Sequence, residues 1–336
     1  MSDYPKTHAQ SDWQKLGFGL FVHFGINTFT GQAWGDGKAG IELYNPTKLD
    51  CRQWVDLAVA AGMKYLVLTT KHHDGFCLWP SAHTDYSVKN ATAGPLSRTD
   101  VVGACAEACR AAGIKFCVYY SLWDRNFKNY DDDQAYADYM KGQLTELLTH
   151  YGDVAEVWFD GGWDKEYPGK QWDDPASLDL APRDPVLCGS RWRWKEIYAH
   201  VHQLQPDTLV VNNSSSHKPG IVRYHPVDVR TCEHYDFIYK EKLCRPFTDG
   251  TVVDPEGNTR YIPVEFTTTL TPDWFWSPRD YFLHPSAYTI AGWRKTAAAA
   301  GANLLLNIGP NPEGLMPDYH REFLVEARRL FEAQSG

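Results

Sequence analysis

A chain of 336 residues with 43% hydrophobic side chains, 22% charged ones and a formal net charge of −9 is large enough to bury one sizeable core, and α/β barrels of this length fold as one domain with inserted loops. An acidic balance without a basic cluster excludes nucleic acid and an anionic membrane surface as expected partners. No stretch nears the roughly 18 to 20 apolar residues that cross a bilayer, so a soluble protein with no membrane association is expected.

The opening Met1-Ser2-Asp3-Tyr4-Pro5-Lys6 lacks the charged-then-apolar pattern of a secretory signal, which predicts a cytoplasmic protein. Leu20-Phe21-Val22 is the first strand-like run and leads into His23-Phe24-Gly25. Leu66-Val67-Leu68 leads into Lys71-His72-His73-Asp74-Gly75, and Phe116-Cys117-Val118-Tyr119 into Tyr120-Ser121-Leu122-Trp123-Asp124. The clearest helical pattern runs from about Asp132 to His150, with apolar residues at Tyr136, Tyr139, Met140, Leu144, Leu147 and Leu148 and Gly152 beyond its end. Val157-Trp158-Phe159 then leads into Asp160, and Leu209-Val210-Val211 and Leu304-Leu305-Leu306 follow, before a last helical pattern over about Asp318 to Ala333. Runs that are apolar at every position belong to parallel strands buried on both faces. Repeated βα units predict a (β/α)8-like TIM barrel, a single domain over residues 1–336.

Two insertions interrupt that pattern. Residues 164–189 are rich in Trp, Asp and Pro, and residues 244–260 carry the turn signals Asp249-Gly250 and Pro255-Glu256-Gly257. Each follows a candidate catalytic residue, so both are expected on the rim beside the site, shaping the leaving-group side. Of the eight cysteines, Cys51, Cys77, Cys105, Cys109 and Cys117 lie in or beside predicted helices and strands without a framework spacing, and read as reduced, buried thiols.

In such a barrel the chemistry sits at the C-terminal ends of the strands. A lone Asp after a strand commonly caps the next helix. Asp160, however, stands between Trp158 and Trp163, and aromatic faces of this kind stack on the C–H faces of pyranoses. An ionised carboxylate below an anomeric carbon can trap it as a glycosyl ester. Adjacent residues at a strand end point to opposite sides, so His72 and His73 make a poor metal pair and read as hydrogen-bonding partners of sugar hydroxyls, with one of the two expected to be a core group. No metal and no cofactor are expected.

His23-Phe24-Gly25, Lys71-His72-His73-Asp74-Gly75-Phe76, Tyr119-Tyr120-Ser121, Trp158-Phe159-Asp160-Gly161 and Leu304-Leu305-Leu306-Asn307-Ile308-Gly309-Pro310 together resemble the α-L-fucosidases of glycoside hydrolase family 29, collinearly over roughly residues 13 to 333. The resemblance implies a (β/α)8-like barrel that hydrolyses α-L-fucosides with retention and without a metal, and a fucosylated oligosaccharide or glycoside as substrate. It implies Asp160 as the nucleophile, His23, His72 and His73 as holders of the fucose hydroxyls, Trp34 as a sugar-contacting tryptophan and Tyr120 as a tyrosine near the nucleophile. Trp158 and Trp276 join the substrate-binding set, Trp276 with Phe275 as an apolar wall for the C6 methyl.

A retaining mechanism needs a second carboxyl as acid and then base. Glu233, in Asp228-Val229-Arg230-Thr231-Cys232-Glu233, resembles the stretch carrying that group in one branch of the family and is the first choice. Glu265, at the start of another strand-like segment, is the second choice and otherwise a substrate contact. Three departures stand out: Ala33 where the family places a sugar-binding Glu, which leaves Asp36 as a substitute; no arginine in Asn212-Asn213-Ser214-Ser215-Ser216, with Arg191, Arg193 or Arg230 as substitutes; and a chain that stops after its terminal helix, a catalytic domain without the C-terminal β-sandwich. A sugar-binding protein without turnover and a metal-dependent hydrolase on the same barrel are the competing classes. Oligomeric state is not readable from the chain.

Overall fold

The computed structural model describes residues 6–162, 192–213, 225–233, 250–254, 256–281 and 283–335. The insertion at 164–189, Arg191, Ser214-Ser215-Ser216 and residues 244–249 lie outside the described residues.

The chain starts with a short helix α1 (His8–Gln14), closed by a capping box between Thr7 and Gln10. Strands and helices then alternate: β1 (Phe18–Val22), α2 (Ile26–Thr30), α3 (Cys51–Ala60), β2 (Tyr65–Lys71), α4 (Val101–Ala112), β3 (Lys115–Ser121), α5 (Asp133–His150), β4 (Glu156–Asp160), α6 (Trp194–Leu204) and β5 (Leu209–Asn212). They continue with β6 (Arg230–Glu233), β7 (Thr251–Val253), β8 (Thr259–Tyr261), β9 (Val264–Thr269), α7 (Ala287–Ala299), β10 (Asn303–Asn307) and α8 (Asp318–Ser335). The barrel helices begin where the sequence supplies an oxygen for their unpaired N–H groups. Asp50, Asp100, Asp132 and Ser286 each cap the helix that follows through a side-chain bond to its first turn.

Eight strands form one sheet in the order β5-β4-β3-β2-β1-β10-β9-β6, every pair parallel. Going round, this is chain order, and a parallel bridge between Val211 and Val229 joins β5 to the approach to β6 and closes the ring. The expected (β/α)8-like TIM barrel is the fold. Among the described residues no helix is long and apolar enough to cross a membrane.

Alternate residues of each strand serve two different cores. Phe21, Tyr65, Val67, Cys117, Tyr119, Trp158, Val211 and Leu305 pack inside the barrel, with Trp13 of α1 at its lower end. Leu20, Val22, Leu66, Leu68, Val118, Tyr120, Val157, Phe159, Val210, Leu304 and Leu306 face the helices. The five cysteines named from the sequence are all free and buried.

The described part of the second insertion is an antiparallel hairpin, β7 with β8. None of its described residues lines the pocket. Lys195 of α6 pairs with Glu256 near its turn (3.0 Å), Tyr261 at its base donates to Gln14 of α1 (3.1 Å), and Val252 belongs to the outer core. Buried Val252 and those two contacts hold it against the outside of the barrel.

Candidate active site

The C-terminal ends of the strands open into a pocket whose inner wall is Phe21 and Trp158 and whose rim carries ionisable groups from five strands or the loops after them. Asp160, the last residue of β4, lies within it. The chain turns away at once through Gly161 at φ +70, where a Cβ would stand 3.0 Å from Trp123 and 3.2 Å from the His73 ring. Only glycine takes that turn against those neighbours.

Three groups converge on the Asp160 carboxylate. Tyr119 Oη donates to Oδ2 (2.9 Å), Asn213 Nδ2 donates to Oδ1 (3.1 Å), and His73 Nε2 stands 3.6 Å from Oδ2. The same Asn213 Nδ2 donates to Oε2 of Glu233 (3.1 Å), the last residue of β6, while Thr231 Oγ1 donates to Asn213 Oδ1 (2.9 Å). Trp158 stacks on Tyr119, ring centroids 5.6 Å apart and 20° from parallel. Trp34 reaches in from the β1 loop, edge-on to His73 at 5.9 Å and to Trp123 at 6.3 Å.

His72 and His73 both line the pocket, with ring centroids 4.0 Å apart. Opposite orientation was expected of two adjacent strand residues. The strand ends at Lys71, after a register shift between Thr69 and Lys71, so neither histidine obeys the alternation of a strand.

The hydrogen bonds behind the rings assign the tautomers of His23 and His73. Asn307 commits its amide N–H groups to Thr269 Oγ1 (3.2 Å) and the Trp274 carbonyl (2.8 Å), so its Oδ1 accepts from His23 Nδ1 (2.6 Å). Ser121 donates to the Trp123 carbonyl (2.6 Å) and accepts from His73 Nδ1 (2.7 Å). Asn27 Nδ2 shares its two hydrogens among Asp74 Oδ2 (3.0 Å), the Ala33 carbonyl (3.3 Å) and His72 Nδ1 (3.4 Å), so the His72 ring is set by no single bond. Burial holds all three rings neutral. It lowers His23 to about 3 and His73 to about 4, the latter against the opposing pull of Asp160, and puts His72 well below its ordinary value. The accepting Nε2 atoms of His23 and His73, with the His72 ring beside them, are a set for sugar hydroxyls.

Three residues expected at the site are elsewhere. Tyr120 faces the helices, donating to Gln143 Oε1 (2.7 Å) and accepting from Lys71 Nζ (3.0 Å), because β3 alternates and it is Tyr119 that points inward. Glu265 is the second residue of β9 and so belongs to the lower part of the barrel, not to the rim. It accepts from Tyr65 Oη (2.6 Å) and Trp158 Nε1 (2.9 Å), fully buried. Trp276 is not part of the pocket lining; Trp274 is, its ring 5.1 Å from His23, with Phe275 edge-on to His23 (5.4 Å) and His72 (5.0 Å). The chain after β9 is irregular there, and Asn307 sets it by binding the Trp274 carbonyl.

Among the described residues, none of the substitutes for missing polar groups reaches the pocket. Asp36 is exposed and caps Lys38 N (2.9 Å); Arg193 pairs with Glu196 on α6; Arg230 is buried in the wall with Nε on the Ile262 carbonyl (3.2 Å). His225, Asp254 and Glu256 bring ligand atoms within 4.8 Å of one another beside the hairpin, but Arg260 already holds Asp254 and Lys195 holds Glu256. Tyr119, Asn213 and Trp274 are the residues sequence reasoning missed. Parity with an inward neighbour would have found Tyr119 once one interior residue of β3 was known; Asn213 was named only for the arginine that its segment lacks, although its place after the Leu209-Val210-Val211 run was the signal.

The sequence profile of the alpha-L-fucosidase family matches residues 2–332. Alpha-L-fucosidase 1 of Arabidopsis thaliana is 32% identical over 95% of this chain and 59% of its own length. A glycoside hydrolase 29 family member from an unknown rumen bacterium superposes with a TM-score of 0.78 at 30% identity, over 96% of this chain and 56% of that one. Alpha-L-fucosidase isoenzyme 1 from Paenibacillus thiaminolyticus gives 0.75 at 26% identity, over 98% and 76%. The chain spans a little over half the length of the curated relatives it matches first. A profile match across almost every residue, on a barrel that carries Asp160 and the His72-His73 pair at its rim, makes this chain a member of the alpha-L-fucosidase family, glycoside hydrolase family 29.

Proposed function

We propose that the chain is the catalytic barrel of an exo-acting α-L-fucosidase that releases fucose from oligosaccharides or glycoconjugates with retention of configuration. One observation carries the mechanism: Asn213 Nδ2 lies 3.1 Å from an oxygen of each carboxylate, which caps the separation of those oxygens at about 6 Å. Retaining pairs stand about 5 to 5.5 Å apart, whereas inverting pairs need roughly 6.5 to 9.5 Å to admit a water between them.

In this reading Asp160 attacks the anomeric carbon while Glu233 protonates the departing oxygen. Water, deprotonated by the same Glu233, then cleaves the glycosyl ester. Asp160 suits the first role because Tyr119 and Asn213 donate to its two oxygens and hold them in place. The neutral histidines bind hydroxyls, and Trp274 and Phe275 offer an apolar wall to the C6 methyl.

The test is release of nitrophenol from nitrophenyl α-L-fucoside, with proton NMR following the anomer formed first. Retention gives the α anomer first, and Asp160→Asn lowers turnover roughly 10³-fold or more. Initial β product, or an Asp160→Asn variant with unchanged turnover, sinks the assignment. Fucose binding without hydrolysis by the wild type points instead to a sugar-binding relative.

A further inference from the structure

Ser121 ends β3 beside Asp160, its register partner on β4, and its side chain is buried. The hydroxyl has one hydrogen and two lone pairs, and all three are committed. It donates to the Trp123 carbonyl (2.6 Å) and accepts from Trp123 N (3.1 Å) and from His73 Nδ1 (2.7 Å). With its only hydrogen on the carbonyl, it meets the His73 ring as an acceptor alone. Burial lowers His73 to about 4, so the ring carries a single proton and its two nitrogens compete for it.

We propose that Ser121 is a positioning residue: it holds the His73 proton on Nδ1, against the pull of Asp160, so that Nε2 accepts a hydrogen bond from the sugar hydroxyl on C2. The inference rests on the reading of Asp160 as nucleophile. Nε2 stands 3.6 Å from Asp160 Oδ2, and the ring can meet the carboxylate in two ways. A proton on Nε2 points at an anion, which attracts it, and gives the nucleophile a further donor beside Tyr119 Oη (2.9 Å). It also takes away the acceptor. With the proton on Nδ1, a lone pair and a carboxylate oxygen face the same gap, and a hydroxyl is the group that suits both. Once Asp160 is aligned with the anomeric carbon, the hydroxyl within reach of that gap is the one on the adjacent carbon, C2. As positive charge grows on the anomeric carbon that hydroxyl becomes a stronger donor, so its bond to Nε2 is tighter in the transition state than in the ground state. This gain depends on Ser121 keeping the proton at the back of the ring.

The first readout is the tautomer itself. With 15N-labelled histidine the protonated and bare nitrogens of a neutral imidazole resonate far apart, and the His73 signals are assigned by their loss in His73→Asn. The wild type is expected to hold the proton on Nδ1, and Ser121→Ala to move most of it to Nε2. A wild type protonated on Nε2, or an alanine variant still protonated on Nδ1, overturns the proposal.

The second readout is turnover of nitrophenyl α-L-fucoside and of its 2-deoxy analogue. Ser121→Ala is expected to lose about 10- to 100-fold in kcat/KM on the fucoside and about 3-fold or less on the analogue, which has no hydroxyl for Nε2. An equal loss on both means that the residue merely shapes the Trp123 turn, and overturns the proposal. Ser121→Thr keeps the hydroxyl and is expected to match the wild type in both readouts, whereas Ser121→Val, of the same shape without it, is expected to match the alanine variant. That pair serves if the alanine variant folds poorly, and threonine and valine variants that behave alike overturn the proposal. A wild type without turnover on either substrate sinks the fucosidase reading alone, and the ring nitrogens still decide what Ser121 does.

Discussion

Glu156 and Glu265 occupy the lower barrel, where neither meets the pocket, yet Glu265 shapes it through Trp158. Glu265 accepts from the indole of Trp158, which stacks on the tyrosine bound to Asp160, and Glu156 accepts from Trp13 Nε1 (2.6 Å). Burial pushes Glu265 up to about 7; burial and then the charge of Glu265 push Glu156 well above the ordinary glutamate value. The folded chain therefore holds protons that the unfolded chain has released, and the unfolded state binds fewer of them. Stability is full below the ordinary value of 4.5 and falls as pH rises towards about 7. Glu156→Gln keeps an acceptor for Trp13 and removes one buried charge. Thermal unfolding is expected to show a midpoint equal to wild type near pH 4.5, a shallower decline and a higher midpoint at pH 8. A decline as steep as that of the wild type would mean that Glu156 does not titrate with the fold.

Among the elements, β1 shows why strand existence was easier to read than strand facing. Phe18 to Val22 is buried at every position, so nothing in its pattern says which residues look inward. Gly19 supplies the answer in three dimensions. It points into the barrel, and the Tyr65 ring from the neighbouring strand fills its place, with ring carbons 2.4 to 2.6 Å from where a Cβ would be. Gly19→Ala must push Tyr65 off Glu265, and the expected cost is about 1 to 3 kcal/mol, the range for overpacking a filled core. Urea unfolding measures it, and a variant as stable as wild type would show that the layer yields. The resemblance put Tyr120 at the site in place of Tyr119, and the strand's own pattern gave no parity to correct it. The helix over Asp132 to His150 was legible to the residue, since an Asp cap and an apolar stripe are local signals.

For the whole molecule the seam between β5 and β6 matters most, because Asn213 follows one strand and Glu233 ends the other. Asp228 clasps it: its Oδ2 accepts from Val210 N (2.8 Å) and His202 Nε2 (3.0 Å), and Tyr198 Oη donates to Oδ1 (2.8 Å). Asp228→Ala strands the buried Val210 N–H, at an expected cost of about 1 to 3 kcal/mol. It should also lower kcat on a fucoside more than it raises KM, since the span between the carboxylates crosses that seam. A variant that loses stability with kcat intact would show that the seam does not set the span. From the sequence alone came the barrel, most of its strands and their rim ends, Asp160 and the histidine triplet, because hydrophobic runs, breakers and motif blocks are written in neighbouring residues, whereas the strand Arg230–Glu233 has no apolar run to show it. Tertiary structure alone decided which tyrosine meets Asp160, that both histidines enter the pocket, that Trp274 lines it where Trp276 was expected, and that Glu265 lies beneath it. It also brought Asn213 between two carboxylates 73 residues apart in the chain. Those outcomes depend on strand parity, on where a strand stops and on how the ring closes, and a run apolar on both faces encodes none of the three.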